Sequence, residues 1–322
     1  MAHPILSAEH FHNEEAAYEY VEARLWPNGP TCPHCGNADP SRIGRLQGKS
    51  TRLGVRKCYA CRKPFTVKVG TIFEDSHLAM HLWLQAIHLL AASKKGFSTN
   101  QMRRTLGCGM KTAWFLTHRV REMMAPLGGT PLMGGEGSTV EIDETWIGGL
   151  EENKHANKRH FANDPKKGKT SVIALVERQG AALAYHMPEV TGANLRTVIR
   201  ENVERGARFY SDESNTIRSA VWSHPSDKVN HHKGEYVRGD VHTNTVEGFF
   251  SIVKRGLTGV YHSVSKEHLD RYLAEYAFRY SNRSALGIED VARADLAIIG
   301  AKGKHLTYET TRAQRREEAS EV

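Results

Sequence analysis

The chain has 322 residues, a formal net charge of +8 and an isoelectric point of about 9.2. Its length allows roughly two or three domains, and its basic excess indicates a polyanionic partner, most simply nucleic acid. No apolar run approaches the roughly 20 residues needed to span a bilayer, and residues 1–22 contain acidic side chains but no apolar signal core. We therefore expect a cytoplasmic protein with no membrane partner.

The first predicted element is an amphipathic helix over residues 7–25, which the following Pro27 ends. Two CxxC pairs come next, with 22 residues between them: Cys32 with Cys35, and Cys58 with Cys61. Two knuckles at this separation are typical of a tetrahedral four-cysteine site in a zinc ribbon, which holds one structural Zn²⁺. A redox CxxC is the alternative, but two pairs without a βαβ pattern argue against it. We expect residues 1–75 to form the N-terminal helix and this ribbon.

The segment from Pro40 to Phe73 has nine basic residues and no acidic one. Such a one-sided composition favours contact with DNA phosphates, which is largely independent of base sequence. The basic residues that we assign to this contact are Arg52, Arg56 and Lys57. A zinc ion that only holds a small domain together is the alternative, and both interpretations can be true.

Three helices are predicted after the ribbon. Residues 77–92 carry a stripe of leucines, which indicates a helix. Ser98 then caps a second helix, and a turn around Gly107 leads into a third helix over residues 111–124. The last two helices and their turn form a helix-turn-helix pattern, to which a plain helical hairpin is the alternative.

The predicted helix-turn-helix lies beside a basic ribbon, so we expect its second helix to contact DNA. The basic residues that we assign to this helix are Lys111, Arg119 and Arg121. The predicted DNA-binding region is residues 76–127. Residues 128–138 are rich in glycine and predict a linker to the next domain.

Residues 139–147 predict a β-strand, because they are rich in β-branched residues and two glycines follow them. Period two places Glu141 and Asp143 on the face opposite Val140. A buried carboxylate costs free energy unless it is paired or binds a cation. We therefore interpret Asp143 as a metal ligand at the centre of a nuclease-type sheet. A solvated strand face that carries Glu141, Asp143 and Glu144 is the alternative.

The rest of this domain follows a polar segment, residues 151–170, which predicts a long hairpin insertion. Two strands, a helix and a strand that ends in Asp212 come next, over residues 171–177, 181–186, 194–204 and 207–212. This order indicates a mixed sheet flanked by helices, as in RNase H-like domains. A helix over residues 266–280 closes the domain, and the charged residues 301–322 predict a disordered tail.

A late helix carries two further charged residues of interest. Glu247 and Lys254 lie seven residues apart, so they share one helix face. A carboxylate and an ammonium group on one face fit a metal ligand and a contact to DNA phosphate, and Arg255 adjoins them. The spacing of Asn244 and Glu247 also fits a capping box, in which Glu247 would serve only the backbone at the helix start.

Three acidic residues thus stand in mid-strand, at a strand end and at a helix start: Asp143, Asp212 and Glu247. With Lys254 they resemble the catalytic core of DDE transposases from bacterial insertion sequences. The resemblance is to the branch with an N-terminal zinc ribbon and an RNase H-like catalytic domain of the retroviral-integrase superfamily. The resembling segments are CPHC…CYAC, VEIDETWIGG, FYSDES, HTNTVEGFFSIVKRG and HLDRYLAEYAFRYSNR. We therefore expect a multidomain α+β protein whose catalytic domain is residues 139–300.

The resemblance implies metal-dependent DNA cleavage at element ends and strand transfer into target DNA, both by phosphoryl transfer. It implies two Mg²⁺ or Mn²⁺ ions, with Asp143 bridging them, Asp212 and Glu247 each on one ion, and Lys254 on a phosphate. The implied partners are double-stranded DNA and further copies of the chain, in a homodimer or larger oligomer at the bacterial nucleoid. A zinc-ribbon DNA-binding regulator with an inactive core and a nuclease that only hydrolyses DNA are the alternatives.

Overall fold

The structure is a computed structural model that describes residues 4–126, 132–148, 155 and 169–307. Most of the predicted insertion at 151–170 and the tail after residue 307 lie outside the described residues. The chain divides into two compact units, which are Met1–Ala125 with Ile288–Val322 (unit 1) and Pro126–Gly287 (unit 2). Within the described ranges, no helix has the length and apolar character needed to cross a membrane.

Unit 1 begins with helix α1 (Glu14–Leu25), followed by the ribbon strands β1 (Ile43–Arg45), β2 (Arg56–Cys58) and β3 (Pro64–Phe65). The three strands form an antiparallel sheet in the order β1-β2-β3. Helix α1 starts later than predicted, because the Asn13 side chain caps it by accepting the backbone N–H groups of Glu15 and Ala16. The predicted order of a helix followed by a small cysteine-bearing sheet is confirmed.

Three helices follow the ribbon in unit 1: α2 (Met80–Ala92), α3 (Thr99–Leu106) and α4 (Met110–Met124). The Ser98 hydroxyl caps α3 by accepting the N–H of Gln101, and Gly107 ends α3 in the left-handed conformation at φ +65°. Helices α3 and α4 pack against each other, and both contact α2. The two predicted helices and the turn between them are therefore present, with three residues in the turn, and their contact with DNA stays a prediction.

The domain boundary predicted at residue 300 differs from the structure. Helix α9 (Asp290–Ile299) packs on α1, α2 and α4 and so belongs to unit 1. Its residues Ala294, Ala297 and Ile298 are buried, and Arg293 Nη1 donates to the Ala91 carbonyl oxygen at 3.1 Å. Unit 2 consequently ends at Gly287.

The first residues of the predicted tail are also anchored in unit 1. Lys304 Nζ donates to three carbonyl oxygens in and just after the last turn of α4, at 2.7, 3.2 and 2.6 Å: those of Glu122, Met123 and Ala125. Leu306 is buried as well. The prediction that the chain becomes a free tail at residue 301 is therefore wrong up to residue 307, because an ammonium group satisfies carbonyls that a helix end leaves without partners.

Unit 2 contains a five-stranded sheet in the order β6-β5-β4-β7-β8. Its strands are β4 (Thr139–Ile147), β5 (Thr170–Glu177), β6 (Ala182–His186), β7 (Arg208–Ser211) and β8 (Ser226–Lys228). Strands β4, β5 and β6 form an antiparallel meander, whereas β7 runs parallel to β4 and β8 parallel to β7. This strand order and these directions are those of the predicted RNase H-like fold, which is therefore confirmed.

Helices cover both faces of this sheet. On one face, α5 (Gly192–Asn202) and α6 (Asn215–Ala220) pack on side chains that include Val140 and Ile142 of β4. On the other face, α7 (Asn244–Gly256) and α8 (Lys266–Ser281) pack on Val172, Ala174 and Val176 of β5. Asp143 is paired with Ala174 and Glu141 with Val176, so both acidic residues face the α7 side. The period-two prediction for β4 is confirmed.

Candidate active site and nucleic-acid interface

Asp143 and Asp212 lie on neighbouring parallel strands at the same level. The register pairs Thr139 with Arg208 and Glu141 with Tyr210, and Asp143 and Asp212 each come two residues after the second pair. Neighbouring strands are about 4.8 Å apart, and residues two apart share a face. The two carboxylates therefore emerge side by side, where β7 ends.

The electrostatics of Asp143 reflect this placement. Burial and the charges of Asp212, Glu247 and Glu144 together raise the pKa of its carboxyl to about 7, while the Glu144 backbone N–H works in the opposite direction. That N–H donates to Asp143 Oδ1 at 2.7 Å. Asp212 Oδ1 accepts the backbone N–H of Ser214 at 2.9 Å. Negative charge from three predicted ligands thus acts on the half-buried carboxylate of Asp143.

Glu247 stands in the first turn of α7 and is exposed. The capping residue is Thr243, and its side chain does not bond the backbone of the helix. Instead, Thr243 Oγ1 donates to Glu247 Oε1 at 2.8 Å. The alternative in which Glu247 only completes a capping box with Asn244 is therefore not the arrangement in the structure.

Glu141 supplies the missing cap of α7, and the sequence interpretation did not assign it a role. Its fully buried carboxylate accepts the N–H and hydroxyl of Thr245 at 2.8 Å each and the N–H of Val246 at 3.0 Å. A helix N-terminus has free N–H groups and a partial positive charge, so an anion stabilises it. The only signal in the sequence is that Glu141 shares the buried face of Asp143.

Arg178, just after β5, completes the surroundings of Glu141. Its Nε donates to Glu141 Oε1 at 2.7 Å, and its Nη1 donates to Asp240 Oδ1 at 2.9 Å. Its Nη2 lies 2.9 Å from His242 Nδ1 and donates to the His242 carbonyl oxygen at 3.1 Å. The guanidinium carbon is 4.8 Å from the centroid of the Tyr210 ring. Arg178 thereby ties β4 and β7 to the loop that leads into α7.

Lys254 and Arg255 lie near the end of α7, and both are exposed. Lys254 is two helical turns beyond Glu247 and on the same face, as predicted. Arg255 is partly tied to its own helix, since its Nε and Nη2 donate to the carbonyl oxygen and hydroxyl of Ser251. Lys254 is therefore the cation of α7 that is better placed to meet a phosphate near Glu247.

The four predicted cysteines form one cluster. Their sulfurs all lie within 4.8 Å of one another, with 3.7 Å between Cys32 and Cys61 and 3.8 Å between Cys35 and Cys58. A tetrahedral ion with Zn–S bonds of 2.3 Å requires about 3.8 Å between sulfurs, so the cluster fits zinc. Backbone N–H groups of Cys61 and Ala60 and the thiols of Cys35 and Cys61 lower the pKa of the Cys58 thiol to about 6, whereas burial and the neighbouring sulfurs raise the pKa of the Cys35 thiol to about 12. The fit to zinc therefore rests on the spacing of the four sulfurs.

Within the part of the chain that the structure describes, these cysteines are the one group of three or more His, Cys, Asp or Glu residues gathered to that distance. The carboxylates of Asp143, Asp212 and Glu247 are grouped more loosely, because like charges repel and Thr243 holds one Glu247 oxygen. The four cysteine sulfurs thus already stand at the spacing that a zinc ion requires, whereas the three carboxylates do not stand that close together.

Two of the residues predicted to contact DNA are buried in unit 1, and a third is half-buried. Arg121 is fully buried and Arg119 is 4% exposed. The Arg119 guanidinium donates to the Glu74 carbonyl oxygen and lies 5.4 Å from the Trp83 ring centroid. Burial therefore contradicts a DNA contact for Arg119 and Arg121. Arg56 donates to Glu22 at 2.5 Å, but its side chain is 19% exposed, so its contact with DNA stays a prediction.

Other basic side chains of unit 1 remain accessible. Arg52 and Lys111 are exposed, as a DNA contact requires, and Lys57 is half-buried and so still reaches solvent. Two arginines that were not singled out, Arg103 and Arg104, are exposed on α3. With Lys111 at the start of α4, they place positive charge around the turn of the helix-turn-helix. The amphipathic period of α3, which buries Met102 and Leu106, could have identified them.

Comparison with known proteins agrees with this architecture. Residues 132–281 match the ISXO2-like transposase domain, and residues 12–64 match the transposase zinc-ribbon domain. The chain therefore combines a segment similar to the transposase zinc ribbon with a segment similar to the ISXO2-like transposase domain, in the order that the sequence predicted.

A curated relative and two solved structures show the range of similarity. An uncharacterized protein in transposable element ISH50 of Halobacterium salinarum is 26% identical over 282 residues, which are 84% of this chain and 91% of the relative. A pre-cleavage Mos1 transpososome (TM-score 0.28) and a Mos1 paired-end complex with the left transposon end (TM-score 0.26) are each 13% identical. They align with 70% of this chain and with 79% and 80% of their own. TM-scores this low do not establish a shared fold.

Proposed function

We propose that this protein is a transposase that cleaves DNA at the ends of an insertion element and joins those ends to target DNA, with Asp143, Asp212 and Glu247 as catalytic carboxylates. The observation that supports the proposal is that Asp143 and Asp212 follow a paired position on neighbouring strands and that the charges of Asp212 and Glu247 both raise the pKa of Asp143. The charges of Asp212 and Glu247 act on Asp143 strongly enough to add to the effect of burial on its pKa. Such an excess of negative charge favours a bound cation.

The donor set supports a hard divalent cation, because all three side chains offer oxygen ligands. When bound, two Mg²⁺ or Mn²⁺ ions would activate the attacking water or 3′-hydroxyl oxygen and stabilise the leaving oxygen. The charges of Asp212 and Glu247 both raise the pKa of Asp143, which supports the proposal that Asp143 would help to hold both ions. Asp212 and Glu247 would then each hold one ion.

The basic side chains divide into two groups by position. Lys254 shares a helix face with Glu247, so we assign it the phosphate next to the bond that breaks. Arg103, Arg104 and Lys111 surround the turn of the helix-turn-helix, and we assign them to the element ends. In this motif the start of the second helix meets base edges while the first helix lies along the backbone. Arg52 and Lys57 of the ribbon would add phosphate contacts.

The test uses the full-length, zinc-loaded protein and double-stranded DNA that carries one terminal repeat of the element. We expect nicking at the repeat end that depends on Mg²⁺ or Mn²⁺ and that Asp143→Asn abolishes, while binding of the repeat survives. Asp227→Asn is the matched control, because it removes an exposed carboxylate of the same sheet that pairs only with surface arginines. Nicking by Asp143→Asn at the wild-type rate would overturn the assignment.

The products of the same reaction separate the alternatives. A labelled terminal repeat that becomes joined to unlabelled plasmid DNA supports strand transfer. Nicked repeat without joined product would make the protein a hydrolytic nuclease. Binding without any nicking, in the presence of either metal, would leave a DNA-binding regulator. The mass of the complex on paired repeat ends tests the further proposal that two or more copies act together.

A further inference from the structure

Glu141 connects β4 to the start of α7 through a carboxylate whose two oxygens both accept hydrogen bonds. Glu141 is fully buried, and a buried carboxylate that lacks partners costs several kcal/mol. Here its two oxygens receive bonds from Thr245, Val246 and Arg178, and His242 Nδ1 lies 3.4 Å away. These donors come from α7, from the turn after β5 and from the loop before α7. The charge is thus balanced by one guanidinium and one helix N-terminus.

This contact fixes two predicted metal ligands relative to each other. Asp143 is two residues beyond Glu141 on β4, on the same face. Glu247 directly follows Val246, whose N–H Glu141 accepts. The Thr243 side chain accepts none of the free N–H groups in the first turn of α7, and the Glu141 carboxylate accepts those of Thr245 and Val246. The register between β4 and α7, and with it the separation of two carboxylates, therefore depends on a side chain that binds no metal.

We propose that Glu141 and Arg178 are positioning residues of the active site, which set the distance between Asp143 and Glu247 for cation binding. The proposal rests on the proposed function, because that function gives Asp143 and Glu247 their role as ligands. Glu141 itself is not a ligand, since the four donor groups of Thr245, Val246 and Arg178 already occupy its two oxygens. Arg178 acts through Glu141 and also through Asp240, which accepts a bond from the Tyr210 hydroxyl of β7 at 3.2 Å.

The experiment compares Glu141→Gln with a matched variant, Glu275→Gln, in the full-length, zinc-loaded protein. Glu275 is also fully buried in unit 2 and pairs with Arg279 on α8, so it reproduces the loss of a buried charge away from the α7 start. Mn²⁺ binding is followed by electron paramagnetic resonance without DNA, and the signal that Asp143→Asn removes defines the acidic site. We expect Glu141→Gln to weaken this binding roughly 10- to 100-fold, as loss of a group that orients a ligand does. Glu275→Gln should bind as wild type does.

Arg178→Gln provides a second variant, because it removes the guanidinium and keeps the Glu141 carboxylate with its bonds from Thr245 and Val246. It should weaken Mn²⁺ binding in the same direction, and amide exchange at Thr245 and Val246 should accelerate in both variants. Unchanged Mn²⁺ affinity in a folded Glu141→Gln or Arg178→Gln protein, or an equal loss in Glu275→Gln, would overturn the inference. A wild-type protein that binds Mn²⁺ at Asp143 but never nicks DNA would overturn the proposed function instead. A wild-type protein that binds none would overturn both.

Discussion

Asp143 on β4 and Asp212, the residue after β7, lie at the same level of two neighbouring parallel strands, although 68 residues lie between them in the chain. The parallel register makes them neighbours, and β7 ends just before Asp212, so the backbone of Asp212 lies beyond the paired residues of the sheet. Two like charges at this spacing raise the free energy of the doubly ionised state. The metal-free protein should therefore report their proximity through its response to pH.

We predict that the metal-free wild-type protein loses stability relative to Asp143→Asn as the pH rises from about 4 to about 7. The folded-state pKa of Asp143 is raised to about 7, above the roughly 3.9 of an unfolded chain. Within this window the folded protein binds more protons than the unfolded one, so the free energy of unfolding falls with rising pH. Urea unfolding of the zinc-loaded protein in buffer without added Zn²⁺, Mg²⁺ or Mn²⁺ measures it. Parallel curves for the two proteins would contradict the prediction, and Asp227→Asn should follow wild type.

The second prediction concerns the ribbon. Cys58→Ser should reduce bound zinc from one ion per chain to nearly none, because three cysteines lack the fourth thiolate of the tetrahedral site. Limited proteolysis should then cut between Cys32 and Phe65, where the loops of the ribbon are joined by the metal. Cys108→Ser is the control, since Cys108 lies outside the cluster. Full zinc occupancy in Cys58→Ser, measured by elemental analysis, would refute the site.

The third prediction separates exposed arginines from buried ones. The double variant Arg103→Ala, Arg104→Ala should bind terminal-repeat DNA more weakly and reduce the slope of log K against log salt by about 2, one unit per lost phosphate contact. Fluorescence anisotropy at several salt concentrations gives this slope. Arg200→Ala with Arg205→Ala removes the same charge from exposed positions in unit 2. An equal slope change in that control would mean that net charge alone is responsible.

The fourth prediction concerns the anchored end of unit 1. Lys304→Met should lower the free energy of unfolding by about 1–3 kcal/mol, because it removes three bonds from an ammonium group to the carbonyls of α4. Lys302→Met is the control, since Lys302 is exposed and its side chain makes none of these bonds. Equal midpoints for both variants in urea unfolding would show that the Lys304 contacts contribute nothing.

Short sequence patterns were sufficient to predict the site residues that their immediate neighbours in the sequence identify. The four cysteines define their cluster by spacing, and Asp143 stands out as an acid within an apolar strand. Glu141 lies in the same strand and is more deeply buried, yet the residues that explain it, Thr245 and Arg178, are far away in the sequence. A carboxylate that caps a distant helix leaves no periodic signal, so its role required the register between β4 and α7.

The charge pattern of α4 led to an incorrect assignment for a physical reason. Arg119 and Arg121 were expected on a DNA-facing surface, but basic side chains have long apolar stems that pack well against aromatic rings. Arg119 lies near the rings of Trp83 and Phe115, and its charge is met by a carbonyl. Composition reveals that a helix is basic, and only the packing of its neighbours reveals which of its cations reach solvent.

The return of α9 to unit 1 has a consequence for how the protein is made. The ribosome must finish the whole of unit 2 before it supplies the helix that covers α1, α2 and α4. A frameshift or stop codon just after Gly287 would spare every candidate catalytic residue and still uncover the core of unit 1. Under the proposed function, damage at the end of the gene should therefore disable recognition of the element before it disables the chemistry.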